Sequence, residues 1–267
     1  MKFWRQLRGA TRALFHLALV AGPIWGMARA QQASTRMLLA VLLLGGLVLL
    51  AWAAFVYWPG FDPLFRIPWR GPRRGRRMAI TFDDGPNGDH TMSVLRLLDQ
   101  HQAKATFFMI GQNIELQPEL ARQVAAAGHA VGSHTYSHRK LNQVSLAEAV
   151  EEIDRGHAAL TAAGIPDVRL FRAPHGLKTF AVARHLARRG LRLIAWTAGV
   201  YDTDCPDASV IARRAERWVR PGTILLLHDG KLGHDRRPMT TALESVLQLA
   251  QRRRIRLVTV PQLLGWS

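Results

Sequence analysis

The sequence predicts an α/β protein whose parallel sheet or barrel follows an apolar N-terminal span. Two observations carry the first part: short β-forming runs alternate with longer helical patterns from residue 78 onward, and such alternation packs as parallel strands joined by crossover helices. The span rests on a third. Residues 37–58 form a run of 22 without a charge, and a helix needs about 20 apolar residues to cross the hydrocarbon core.

At 267 residues the chain has room for one sizeable domain and an appendage. Residues 1–36 are expected to be a basic cytoplasmic segment. Within them 13–27 is apolar, but it is short and contains His16 and Gly22-Pro23, which suits an interfacial helix better than a second span. The 37–58 stretch starts after Arg36 and ends at Pro59-Gly60, with Trp52, Tyr57 and Trp58 near its far end, where aromatics favour the membrane interface. A buried core helix of this length would show a polar face. Signal-peptide cleavage at Ala51-Trp52-Ala53 would require a shorter apolar run and a shorter flank than the 36 residues that precede it. Basic charge does not fix the orientation, since 1–36 and 59–77 carry six Lys/Arg each.

Residues 59–77, with four prolines, three glycines and six arginines, read as a linker facing lipid head groups. Residues 1–77 hold twelve Lys/Arg against the single Asp62, so most of the excess behind a pI near 11.5 lies here. A free basic tail suggests nucleic acid. Because this one brackets an apolar run, anionic lipid is the expected partner and nucleic acid is not. Cys205 is the single cysteine, which excludes an internal disulfide and a thiolate zinc cluster.

From residue 78 the expected strands are 78–82, 105–110, 130–132, 170–172, 191–196, 223–227 and 257–260, and the expected helices are 91–101, 118–127, 145–163, 179–189, 208–219 and 240–252. Ser145-Leu146-Ala147-Glu148 is a capping box opening the third helix, and Gly164 stops it.

The first strand stops at two adjacent carboxylates, in Thr81-Phe82-Asp83-Asp84-Gly85-Pro86. Like charges raise each other's pKa, so such a pair needs a cation, a proton or an Arg. His134-Thr135-Tyr136-Ser137-His138 and Phe171-Arg172-Ala173-Pro174-His175-Gly176 supply candidates. His134 and His138 at helical spacing would face one side of a turn. Two imidazoles and one carboxylate suit a divalent ion: zinc fits, and nickel and cobalt tolerate the same set. Arg172, at the end of an apolar strand and before a proline, is placed to hold Asp83 ionised. His228 follows another apolar run, 224–227, with Asp229 beside it.

The blocks TFDDGP, SHTYSH, FRAPHG, Trp196 with Asp202, and LLLHD, together with ATFFMIG at 105–111, resemble the polysaccharide deacetylase (NodB-homology) family of carbohydrate esterases over about residues 76–267. The resemblance implies a distorted (β/α) barrel of about seven strands over 78–267 and metal-dependent hydrolysis of an N-acetyl group on a sugar. It implies that Asp84, His134 and His138 are metal ligands, Asp83 the general base and His228 the general acid. It also implies that Leu226 meets the substrate methyl, and that a backbone N–H at His175 faces the oxyanion. Two positions depart from the pattern: His175 stands where an aromatic is usual, and Thr203 replaces a second Trp. Asp202 therefore has two candidate partners, Arg172 and His228. His129, His157, His185 and His234 have no motif support and are expected to be structural or solvent-facing.

The expectation is a single-pass protein of the bacterial cytoplasmic membrane with an extracytoplasmic catalytic domain, acting on an N-acetylated envelope polysaccharide, peptidoglycan or lipid-linked sugar. A deformylase of a lipid-linked N-formyl sugar uses the same chemistry. A non-catalytic, membrane-tethered glycan-binding protein is the competing class.

Overall fold

The computed structural model describes residues 35–57, 66–230 and 235–266. The interfacial helix expected at 13–27, the first part of the linker and His234 lie outside them.

The chain divides into two compact units, 1–54 and 55–267. Helix α1, Thr35–Tyr57, leaves Leu43, Leu44 and Leu50 exposed. Among the described residues it is the one helix long and apolar enough to cross a membrane.

The second unit is a curled half-barrel. Its strands are β1 Arg77–Asp83, β2 Thr106–Met109, β3 Ala130–Ser133, β4 Leu170–Phe171, β5 Arg192–Leu193, β6 Ala198–Gly199 and β7 Ile224–His228. They run in parallel in the order β5-β4-β3-β2-β1-β7-β6, and β8, Arg256–Leu257, pairs with the start of β1. The crossovers carry α2 Gly88–Gln100, α3 Gly111–Leu116, α4 Pro118–Ala126, α5 Leu146–Ala162, α6 Phe180–Arg188, α7 Ala208–Glu216 and α8 Arg237–Arg252, and α9 Val260–Leu264 closes the chain.

β1 shows why its sequence is nearly all apolar: residues 78–83 are buried on both faces, as parallel strands covered by helices are. Met78, Ile80 and Phe82 pack outward with Leu98 and with Leu243 and Leu247 of α8. Ala79 faces the other way, with Phe108, Leu170, Ile224 and Leu263. The same two-residue period puts Thr81 and Asp83 on the Ala79 side. Phe82 stacks on Phe107 with centroids 5.0 Å apart, which fixes β1 against β2.

Three expectations change. The strand expected at 191–196 is two residues long, and a further strand, β6, follows it at Ala198–Gly199. The last strand covers only Arg256–Leu257, because Thr259 and Gln262 form a capping box that starts α9. The short α3 was not expected. The capping box at Ser145 and Glu148 forms as read, and it orients α5.

Because the strands are parallel, their C-terminal ends gather at one end of the sheet, where α/β folds build sites. β1 ends at Asp83 opposite β7 at His228, and β3 and β4 deliver His134 and Arg172 one residue past their ends.

Candidate active site

A cleft of about 440 Å³ at that end is lined by Asp83, Asp84, His134, His138, His175, Trp196, Leu226 and His228, with Ile110, Thr203 and Asp204 at its edge. All ten residues singled out from sequence therefore converge here or touch a residue that does. Arg172 reaches Asp83, and Asp202 reaches His228.

His134 and His138 are not on a helical turn. They sit in an irregular loop after β3, where Thr135 (φ 68) and His138 (φ 60) take left-handed backbone conformations. Two such residues fold the chain back sharply, and the imidazole centroids end 5.0 Å apart. The loop is held from α5. Glu152 accepts hydrogen bonds from the backbone N–H and hydroxyl of Ser137 at 2.8 and 2.6 Å, and Gly156 lets Thr135 approach so closely that a Cβ there would lie 2.5 Å from its carbonyl carbon.

Asp84 offers Oδ1 to this pair, 3.5 Å from His134 Nε2 and 3.2 Å from His138 Nε2. That oxygen is buried and has no hydrogen-bond partner among the described residues. His134 Nδ1 lies 2.8 Å from the Arg172 carbonyl oxygen; a carbonyl only accepts, so the ring carries its proton there and leaves Nε2 a free lone pair. One carboxylate oxygen and two imidazole nitrogens, all within 4.8 Å of one another, form a donor set that fits a divalent cation with open positions. Burial works to raise the Asp84 carboxyl, but the imidazoles of His134, His138 and His228 outweigh it and hold the group well below the ordinary carboxylate range. Burial, with His134 adding like charge, lowers His138 to about 4, so its ring is neutral at neutral pH.

Asp83 points one oxygen away from this cluster and one toward it. Oδ1 accepts from Arg172 Nη1 at 2.7 Å, and Oδ2 lies 3.7 Å from His134 Nε2. Arg172 is wholly buried. It also donates to Thr81 Oγ1 and to the carbonyls of Ile194 and Ala195, and its guanidinium lies 4.1 Å from the Phe108 ring centroid. Burial lowers the Arg172 pKa, and the adjoining Asp83 carboxylate opposes that.

Across the cleft, Asp202 holds His228 rather than Arg172. Its Oδ1 is 2.9 Å from Nδ1, and its Oδ2 accepts the His228 backbone N–H at 2.8 Å. Burial disfavours a charged His228, but Asp202, with Asp83 and Asp84 behind it, raises the ring to about 9. Arg236, buried, donates to the Asp202 and Thr203 carbonyls and so fixes that loop. His175, at φ 56, sets its ring 4.9 Å from that of His138.

Several further residues support the site, and of these only Asp229, the last residue of LLLHD, stood in a sequence motif. Asn113 Nδ2 donates to the Asp84 carbonyl at 2.7 Å. Asp229, fully buried, takes a hydrogen bond from Thr91 and backs Gly85, and burial together with Asp84 and Asp83 raises it to about 7. His129 accepts from the Ala105 N–H, and His185 pairs with Asp154, which are structural roles.

The half-barrel and the Asp-His-His cluster at its mouth define a class: hydrolases built on a curled parallel (β/α) fold. The chain belongs to the polysaccharide deacetylase family, whose profile matches residues 70–194. It is 36% identical over 217 residues to a chitooligosaccharide deacetylase of Bradyrhizobium sp. (strain ANU 289), covering 76% of this chain and 98% of the relative. A peptidoglycan-N-acetylglucosamine deacetylase of Bacillus cereus is 34% identical over 77% of this chain and 96% of its own. Among solved structures, the Bc1960 peptidoglycan N-acetylglucosamine deacetylase superposes with a TM-score of 0.70 at 30% identity, covering 74% of this chain and 92% of that one. A Bacillus anthracis family pseudoenzyme shares the fold at a TM-score of 0.68 and 24% identity, covering 74% of this chain and 68% of that one. The fold alone therefore does not carry activity.

Proposed function

We propose that this protein is a metal-dependent N-deacetylase of amino sugars in a cell-envelope glycan. The observation that carries the reading is the joint presence, in one cleft, of a candidate metal-ligand set (Asp84, His134, His138), a carboxylate paired with a buried arginine (Asp83 on Arg172) and an imidazole paired with a carboxylate (His228 on Asp202).

Amide hydrolysis needs an activated water, a stabilised oxyanion and a proton for a very basic leaving nitrogen. Asp84, His134 and His138 would hold a divalent ion, which would supply Lewis acidity to the water and the carbonyl. Asp83 Oδ2, left free by the grip of Arg172 on Oδ1, accepts the proton of the attacking water. His228, protonated on both nitrogens below about 9, keeps Nδ1 on Asp202 and gives the Nε2 proton to the departing amine. Leu226 and Trp196 line the cleft where the acyl methyl would lie. The apolar α1 serves as an anchor for the catalytic unit.

Incubating the metal-loaded full chain with an N-acetylglucosamine oligomer should release acetate and an equal amount of free amine. Release of formate from an N-formyl sugar, without acetate from any N-acetyl glycan, would assign a deformylase instead.

A further inference from the structure

The end of the half-barrel opposite the cleft has its own chemistry. In a parallel sheet every strand begins at that end, and five of the eight beginnings here carry arginine: Arg76 and Arg77 at β1, Arg169 before β4, Arg192 in β5, Arg220 before β7 and Arg256 in β8. Arg253 and Arg254 fill the turn after α8, where their carbonyls accept from Arg76. Arg66, Arg73 and Arg74, on the segment by which the chain enters this unit, are exposed as well. Like charges crowd here, and Arg73 and Arg220 lie near enough to Arg70 to reinforce the lowering of its pKa by burial. Against them stand Asp99, Asp167 and Glu216. Among the described residues, none of Arg169, Arg192, Arg220, Arg254 and Arg256 has a carboxylate within ion-pair distance.

The aromatic residues at this end add a second observation. Trp266 lies under Arg192 at 4.3 Å, and Trp218 under Arg220 at 4.5 Å. Tryptophan beside arginine is the composition of a membrane interface, where the indole sits among head groups and the guanidinium meets phosphate. A groove of about 700 Å³ also opens here, lined by Arg122, Arg169, Arg192 and Trp266 around an apolar floor. No candidate catalytic group reaches it.

We infer that this arginine-rich end is a docking face for the phosphate head groups of an anionic bilayer, and that it turns the cleft away from the membrane. The lipid is favoured over other polyanions because the same chain carries the apolar helix α1 and because Trp218 and Trp266 accompany the arginines of this face. The inference rests on the deacetylase reading for its consequence. β1 has 7 residues, which at about 3.3 Å each separate the two ends by roughly 20 Å. A cleft at that height reaches a glycan strand beyond the head groups and not the sugar of a lipid-linked precursor.

The test uses the full chain in nanodiscs of phosphatidylcholine with or without phosphatidylglycerol, with head-group-labelled acceptor lipid. Donor dyes are placed at the docking face (Gln251→Cys in a Cys205→Ser background) or beside the cleft (native Cys205). Energy transfer should be strong from position 251 and weak from 205. It should need phosphatidylglycerol, and it should be lost on Arg169→Glu/Arg192→Glu/Arg254→Glu. Equal transfer from both positions would overturn the proposal, as would indifference to lipid charge or retention of a soluble polyanion by a chain indifferent to phosphatidylglycerol. Deacetylation of a soluble oligomer by the charge-reversed chain should be unchanged, so loss of docking and failure of the deacetylase reading are read separately.

Discussion

Asp202 grips His228 at two points, its Oδ1 on the imidazole at 2.9 Å and its Oδ2 on the backbone N–H at 2.8 Å. One carboxylate thus fixes both the position of the strand end and the charge of the ring, so its removal is felt as a titration rather than as a simple loss of contact.

In the metal-free protein, Asp202→Asn should move the His228 pKa from about 9 down toward its ordinary value, read by NMR of the histidine ring. The stability effect follows in sign. A histidine raised in the folded state contributes fully below its unfolded pKa of about 6.5 and loses that contribution as pH rises through about 9. The gap in unfolding free energy between wild type and Asp202→Asn should therefore be widest in acid and narrow above about pH 9. A gap constant across that range would show that the pair is not an ion pair.

Arg172 is wholly buried and serves Asp83, Thr81 and two carbonyls at once. Arg172→Met strands the Asp83 carboxylate and should cost about 3–5 kcal/mol, read from denaturant unfolding. Arg172→Lys keeps the charge but lacks the planar fork, and it should recover only part of that loss. Full recovery by lysine would mean that charge alone matters.

Gly156→Ala would place a Cβ 2.5 Å from the Thr135 carbonyl carbon. The loop must then shift, and with it His134 and His138. Metal affinity measured by calorimetry should fall by about 10–100-fold, the range seen when outer-shell support is lost. Unchanged affinity would detach the loop from the site.

The order of βα units and the composition of the site were legible because they depend on local pattern: β1 is a continuous apolar run that ends at Asp83 and Asp84, and α5 opens with a capping box. The loop carrying His134 and His138 was not. Spacing of four suggested a helical turn, whereas positive φ at Thr135 and His138 does the work, and nothing in those residue types signals it. β6, two residues long, is too short for a period. Asn113, Glu152 and Gly156 reach the site from other elements, and of these only Gly156, a glycine inside an otherwise good helix, left a trace that could have been followed, whereas Asp229 was legible as the end of LLLHD. For Asp202 the sequence left two partners, and the bend of the chain after β6 selects His228.

The most direct test of the account is acetate release by Asp83→Asn compared with wild type, at matched bound metal, on an N-acetylglucosamine oligomer. Asparagine keeps the shape of Asp83 and leaves Asp84, His134 and His138 in place, so the variant should bind metal and oligomer yet lose about 10²–10⁴-fold in kcat. A variant that keeps both metal and wild-type kcat would contradict the assignment of Asp83 as the base, and with it the chemistry proposed for this cleft.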